Sequence, residues 1–312
     1  MDEESKTMIR SFKELIEKVQ NGEPQTLSVA VAQDADVLLS VWHAYQNQII
    51  KGAYLVGNEK EIREIAGNLD IDLSKFEIVN EVEKEDACAA AIRLVKEGKA
   101  SLPMKGFVDT SVALKALLNK EYGLRTGNLI CHVGLMEVPG FDRMFLLSDS
   151  AMTIAPTLEQ KVDLIKACTE IAHAMGNENP KVAVLCAVEK VNPKMPATLD
   201  AAELTRMNEA GEITGCMVKG PLAMDNAVSV EAARHKGIDH PVAGHADILI
   251  TPDIEAGNIL NKSMEYFARC EKAGCIMGAA KPMVLTSRAS SDTSKMNSIA
   301  LAVLAAQSAG KQ

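Results

Sequence analysis

The chain has 312 residues, 47% of them hydrophobic and 24% charged, with a net charge of -9. That is the balance of a folded protein long enough for two domains, and it argues against extended disorder. Lys and Arg are spread along the sequence without a basic face, so general nucleic-acid binding is not expected; a local cluster of cations in a cleft would still hold a small anion.

The seven cysteines (Cys88, Cys131, Cys168, Cys186, Cys216, Cys270 and Cys275) are odd in number and contain no C-x-x-C, which points to a reducing, cytoplasmic setting rather than a disulfide framework or zinc ribbon. The acidic start, Met1 to Lys6, has no apolar run behind it, so neither a signal peptide nor a membrane span is expected.

In chain order, residues 7–20 carry Met8, Phe12, Leu15, Ile16 and Val19 on one stripe and predict a helix. Residues 27–32 predict a buried strand, 35–48 a helix, 53–57 a strand stopped by Gly57, 59–66 a short helix, 76–79 a strand and 87–97 a helix. This alternation implies a mostly parallel sheet covered on both faces. Residues 129–138 and 143–149 are two β-rich runs joined by Pro139-Gly140-Phe141-Asp142, which predicts a hairpin or a connection between sheets. A long helix follows at 158–175, then strands at 182–187, 246–250, 274–277 and 283–285. A domain boundary is expected near Ser150, with one domain formed by residues 1–149 and 290–312 and the other by 150–289.

Neither G-x-G-x-x-G, G-x-x-x-x-G-K-[ST] nor G-x-S-x-G occurs, so the commonest nucleotide and hydrolase signatures are absent. His235, His240 and His245 recur every five residues, a spacing that does not share a helix face, and Pro241 interrupts them; they read as separate histidines. The methionines read as core fillers.

The most informative segment is Thr286 to Lys295, between the apolar run 283–285 and a final helix whose Met296, Ile299, Ala300, Val303 and Leu304 form one stripe. A loop entering a helix N-terminus at the end of a strand suits an anion, because unpaired N–H groups and the helix dipole meet there. Arg288 adds a bidentate grip, and Ser287, Ser290, Ser291, Thr293 and Ser294 add hydroxyls. The same residues also fit a capped helix with Ser291 or Asp292 as N-cap, although five hydroxyls beside one Arg exceed what capping needs. A second strand–turn–helix junction runs from Thr251 to Lys262, with Gly257 allowing close backbone approach and Asn258 and Lys262 available for polar contacts; it also reads as an ordinary crossover. Lys219 to Ala227 contains a Gly-Pro turn with an acidic end.

These segments together resemble the phosphate acetyltransferase and phosphate butyryltransferase family: S-R-x-x-S before the last helix, P-D-x-x-A-G-N-x-x-x-K and G-P-L-x-x-D upstream, and Ser148-Asp149-Ser150-Ala151. Met104-Lys105-Gly106, residues 123–127 and residues 189–198 fit the butyryl branch. The resemblance covers residue 100 to the end and is weaker before it. It implies two α/β/α domains with mostly parallel sheets, an isocitrate dehydrogenase-like fold, and an active site in the interdomain cleft. It implies acyl transfer between coenzyme A and phosphate without a metal or a permanently bound cofactor, by a homodimer or larger homo-oligomer. By this resemblance Arg288 holds phosphate and Ser287 donates to the reacting centre. The acetyl branch carries an Asp seven residues after that Ser; here the position is Ser294, and Asp292 is the neighbouring carboxylate. Lys105, Arg125, Thr126, Ser290, Ser291, Asp253, Gly257, Asn258 and Lys262 complete the candidate phosphate and CoA contacts. Two other readings stand beside it: a non-catalytic acyl-CoA sensor, and a metal- and NAD-dependent dehydrogenase on the same fold.

Overall fold

The computed structural model describes residues 8–309. The acidic start and residue 7 of the first expected helix lie outside the described residues. The chain divides into two compact units, one comprising Phe12–Ile130 and Lys272 onward, the other holding residues 8–11 and Cys131–Glu271.

The first unit begins with α1 (Phe12–Gln20), β1 (Gln25–Ala30), α2 (Ala35–Gln46), β2 (Ile50–Gly57), α3 (Glu59–Asn68), β3 (Glu77–Asn80), α4 (Lys84–Lys96), β4 (Leu102–Lys105) and α5 (Thr110–Leu117). The elements expected there agree to within a few residues; β4 and α5 are not among the expected ones. The short runs of Val, Leu and Ala make strands buried on both faces: Leu27, Val29, Leu55, Leu102 and Met104 are essentially inaccessible. Each such side chain contributes about 2 kcal/mol through burial. α2 starts at Asp34, whose carboxylate accepts from the Val37 N–H at 3.0 Å.

The second unit follows with β5 (Cys131–Glu137), β6 (Met144–Ser148), α6 (Leu158–Ala174), β7 (Lys181–Leu185), α7 (Pro196–Glu209), β8 (Met217–Leu222), α8 (Met224–Val228), α9 (Val230–His235), β9 (Ile248–Ile250) and α10 (Ile254–Tyr266). Thr157 and Gln160 form a capping box at the start of α6. The chain then supplies β10 (Glu271–Met277), β11 (Met283–Val284) and α11 (Asp292–Ala309) to the first unit, β10 from its second residue on.

In the first unit the strands run in the order β3-β2-β1-β4-β11-β10. All neighbours are parallel except β10 and β11, with Val29 opposite both Leu55 and Met104 and Val284 opposite Met104. In the second unit the order is β5-β6-β9-β7-β8. There β5 and β6 form an antiparallel hairpin, one of the two arrangements expected for them, and the other pairs are parallel. Phe145, Leu147, Ala183, Leu222 and Leu249 lie at the centre of its core.

The units part at 130/131 and 271/272 rather than at the expected 149/150 and 289/290. Hydrogen bonding is the reason. β6 pairs with β9 and draws the whole hairpin into the second unit, whereas β11 pairs with β4 and draws residues 272–289 into the first. The final helix also differs from expectation. The predicted single stripe is replaced by burial around the helix, with Lys295 and every residue from Asn297 to Ala305 buried. α11 packs on α1 and α2 and also touches β4 and β11, leaving little of its circumference to solvent.

Candidate active site

In the first unit, β1, β4 and β11 are parallel neighbours, so their carboxyl ends lie side by side and each opens into a loop leading to a helix. This is the edge where open α/β sheets receive ligands. The β1 and β4 loops are tied together by main-chain bonds, from Gly106 N–H to the Ala30 carbonyl and from Phe107 N–H to the Val31 carbonyl, both 2.8 Å. A side chain at Gly106 would meet those carbonyls: its Cβ would stand 2.5 Å from the Ala30 oxygen and 2.3 Å from that of Val31. Only glycine permits this approach.

The β11 loop is a tight turn. Ser290 N–H donates to the Ser287 carbonyl at 3.1 Å, and Ala289 N–H donates to the Ser287 hydroxyl at 3.3 Å. Arg288 stands exposed at its tip, its guanidinium 2.8 Å from the Asp109 carboxylate, which belongs to the β4 loop. Ser291 caps α11, accepting from Ser294 N–H at 3.2 Å and bonding the Ser294 hydroxyl at 3.3 Å. Asp292 is therefore not the cap; its carboxylate faces His43 on α2 at 3.3 Å.

Two buried lysines flank these loops, Lys105 at the end of β4 and Lys295 in the first turn of α11. Lys105, 2% exposed, donates to the carbonyls of Gly106 at 3.3 Å and Val108 at 2.9 Å. Burial, then the charges of Arg288 and Lys295, lower its pKa to about 8, against support from Asp109 and Cys88. Lys295, also 2% exposed, donates to the Ser290 carbonyl and faces Asp36 at 3.9 Å. Burial lowers its pKa too, opposed by Asp36, Asp34 and Asp292. Thr126 donates to the Gly278 carbonyl at 2.5 Å and accepts from Asn128 N–H, and Arg125 beside it is exposed.

The depressed Lys105 has a consequence for stability. Between pH 8 and its ordinary 10.5 the unfolded chain holds a proton at this residue that the folded chain has released. The residue therefore costs most below pH 8, and that cost falls as pH rises toward 10.5. Urea unfolding is expected to show the stability of wild type relative to Lys105→Met rising by up to about 3 kcal/mol across that window. A flat difference would mean that Lys105 titrates normally.

The second junction lies in the other unit and braces the end of β6. Asp253 caps α10, accepting from Ala256 N–H at 2.8 Å. Asn258 donates to the Ser150 carbonyl at 3.0 Å, and Lys262 pairs with Glu265 at 3.6 Å. Gly257 lies against the Asp149 carbonyl. The Asp149 carboxylate, almost fully buried, accepts from the N–H groups of His132, Ala151 and Met152 and from the Thr153 hydroxyl, at 2.8–3.1 Å. The Ser150 hydroxyl lies 3.2 Å from His132 Nδ1. In the G-P-L segment the Gly220–Pro221 bond is cis.

The arrangement thus gathers Ser287, Arg288, Ser290, Ser291, Asp292, Ser294 and Lys105 in one unit, with Asp253, Gly257, Asn258 and Lys262 in the other. Sequence reasoning did not assign Asp109, Lys295, Asp36 or His43, since their ion pairs join distant segments. No disulfide joins any of the seven cysteines, and burial raises Cys88 and Cys186 to about 11 and Cys275 to about 12, so these three are poor nucleophiles. Among the described residues no group of three or more His, Cys, Asp or Glu side chains is gathered to hold a metal, and no helix is long and apolar enough to cross a membrane.

Residues 80–303 match the family described as Phosphate acetyl/butaryl transferase. The chain is 50% identical over 299 residues to a phosphate butyryltransferase of Clostridium acetobutylicum, an alignment taking in 96% of this chain and 99% of that protein. It is 45% identical over 293 residues to a phosphate acetyltransferase of Thermotoga maritima, covering 94% and 99%. Among solved structures, a branched-chain phosphotransacylase from Enterococcus faecalis V583 superposes with a TM-score of 0.79 at 32% identity, covering 90% of this chain and 99% of that one.

Proposed function

The chain belongs to the phosphate acetyl/butyryl transferase family and is a phosphate acyltransferase; from that premise we propose that it exchanges a butyryl-sized acyl group between coenzyme A and inorganic phosphate. The observation that carries this reading is Arg288, raised on the Ser287–Ser290 turn at the start of α11 beside the carboxyl ends of parallel strands. A guanidinium and a helix N-terminus together favour a dianionic phosphate.

In the reaction a phosphate oxygen attacks the thioester carbon, the C–S bond breaks, and the CoA thiolate leaves; the reverse direction starts from the thiolate. Arg288, displaced from Asp109 by the incoming phosphate, neutralises the nucleophile's charge and then the developing oxyanion. Ser287, exposed at the base of the turn, donates to the reacting centre. Asp292 is engaged by His43 and position 294 is a serine, so we assign no carboxylate as thiol base and attribute most of the rate to holding both substrates in line. Coenzyme A enters as a substrate. We also read the chain as cytoplasmic and homo-oligomeric; in support, the seven cysteines form no disulfide, and Ile259, Tyr266 and Phe267 stand exposed at 66%, 67% and 87%.

The experiment is release of free CoA from acetyl-, propionyl-, butyryl- and isobutyryl-CoA, with and without phosphate. Release that requires phosphate and is fastest with a four-carbon acyl group is expected. One methylene is worth about 1–3 kcal/mol, so the preference should be of order tenfold or more over acetyl. Tight acyl-CoA binding without release would instead identify a sensor.

A further inference from the structure

The two segments that meet at Arg288 are each fastened to a buried ammonium. Lys295 leaves the first turn of α11 and reaches back to the Ser290 carbonyl, the last residue of the turn that carries Arg288, while its own N–H donates to the Ser291 carbonyl at 3.0 Å. Lys105 holds the carbonyls of Gly106 and Val108, immediately before Asp109, the carboxylate that receives Arg288.

We propose that Lys105 and Lys295 are positioning residues that fix Arg288 from its two sides: Lys295 through the Ser290 carbonyl and the turn, Lys105 through Val108 and Asp109. This rests on the phosphate-transfer reading above and assigns Lys105 an indirect role in place of direct contact with substrate.

The geometry has a second effect. In a trans peptide the C=O and N–H point in opposite directions. With the Val108 and Ser290 carbonyls turned in toward the lysines, the N–H groups of Asp109 and Ser291 are turned away from them, and both lie at helix starts. Burying an ammonium is costly, and an apolar side chain of similar length would fill the same space without that cost. A purely packing role therefore gives no reason for a lysine at either place, whereas holding a carbonyl in a set direction does. Lys295 is partly balanced by Asp36 on α2, and the charged form of Lys105 is favoured by Asp109 and opposed by Arg288 and Lys295.

The test is a double-mutant cycle on phosphate KM and kcat, with wild type, Lys295→Met, Arg288→Ala and the double variant. Wild-type phosphate-dependent CoA release is confirmed first. Its absence would remove the functional reading, and the cycle is then run on calorimetric binding of inorganic phosphate to the same proteins. Lys295→Met is expected to raise phosphate KM about tenfold, with CoA-ester KM unchanged, and to add nothing in the Arg288→Ala background. Lys105→Met should behave likewise. Effects that multiply with those of Arg288→Ala, or an unchanged phosphate KM, would overturn the proposal, because a lysine that supports only the fold acts equally in either background. Should a Met variant fail to fold, Lys295→Gln or Lys105→Gln replaces it in the same cycle.

Discussion

Arg288→Ala is expected to lower kcat/KM by about 10³-fold and to raise the Michaelis constant for phosphate, without changing the unfolding midpoint. The catalytic loss follows from removing the guanidinium that meets charge developing on phosphate and on the carbonyl oxygen. The unchanged stability follows from exposure. The Arg288 and Asp109 side chains are 54% and 62% accessible, and pairs of that kind contribute about 0–1 kcal/mol. Arg288→Lys should recover only part of the activity, since an ammonium cannot make the planar two-pronged contact. Steady-state kinetics with phosphate and butyryl-CoA varied separately, beside urea unfolding, checks both halves. Wild-type turnover in the Ala variant would remove Arg288 from the reaction.

Gly257→Ala is expected to destabilise the second unit by about 3 kcal/mol, the upper end for an overpacked site. An added Cβ would lie 2.1 Å from the Asp149 carbonyl oxygen and 2.8 Å from the Thr251 hydroxyl. Neither neighbour yields easily. Asp149 is pinned through its carboxylate by three N–H groups and a hydroxyl, and the Thr251 hydroxyl itself bonds the Ser148 and Asp149 carbonyls. Gly67→Ala on α3 is the control: nothing lies within 4 Å of its Cβ position, so relief of glycine's helix penalty should stabilise the chain by up to about 1 kcal/mol. Urea midpoints that move equally for the two variants would refute the steric account.

The local structure around the candidate site residues is in part legible along the chain. The strand–loop–helix pattern around Arg288 and the glycine at 257 each follow from residues within one short window. Hydroxyls before an apolar helix, and a glycine just inside a helix start, are local signals of capping and of close approach. The resemblance added what local windows lack, the order of the three motifs. The cap itself was left open between Ser291 and Asp292, and the contact with His43 across to α2 accompanies the choice of Ser291. The expected single stripe on α11 failed for a related reason: periodicity shows which residues are apolar, not how many neighbours surround the helix.

By itself the sequence determined the alternation of strands and helices, the apolar runs that must be buried, the two β-rich runs joined at 139–142, and the arginine at a helix start, because these depend on side-chain chemistry and spacing over a few residues. Only the tertiary structure decided that β11 lies beside β4, that the units part at 130/131 and 271/272, and that Arg288 meets Asp109 while Lys105 and Lys295 turn inward to backbone carbonyls. Strand order is set by which buried faces and hydrogen-bonding edges fit together across the whole unit, and contacts between residues nearly 180 positions apart leave no mark on the local pattern of either segment.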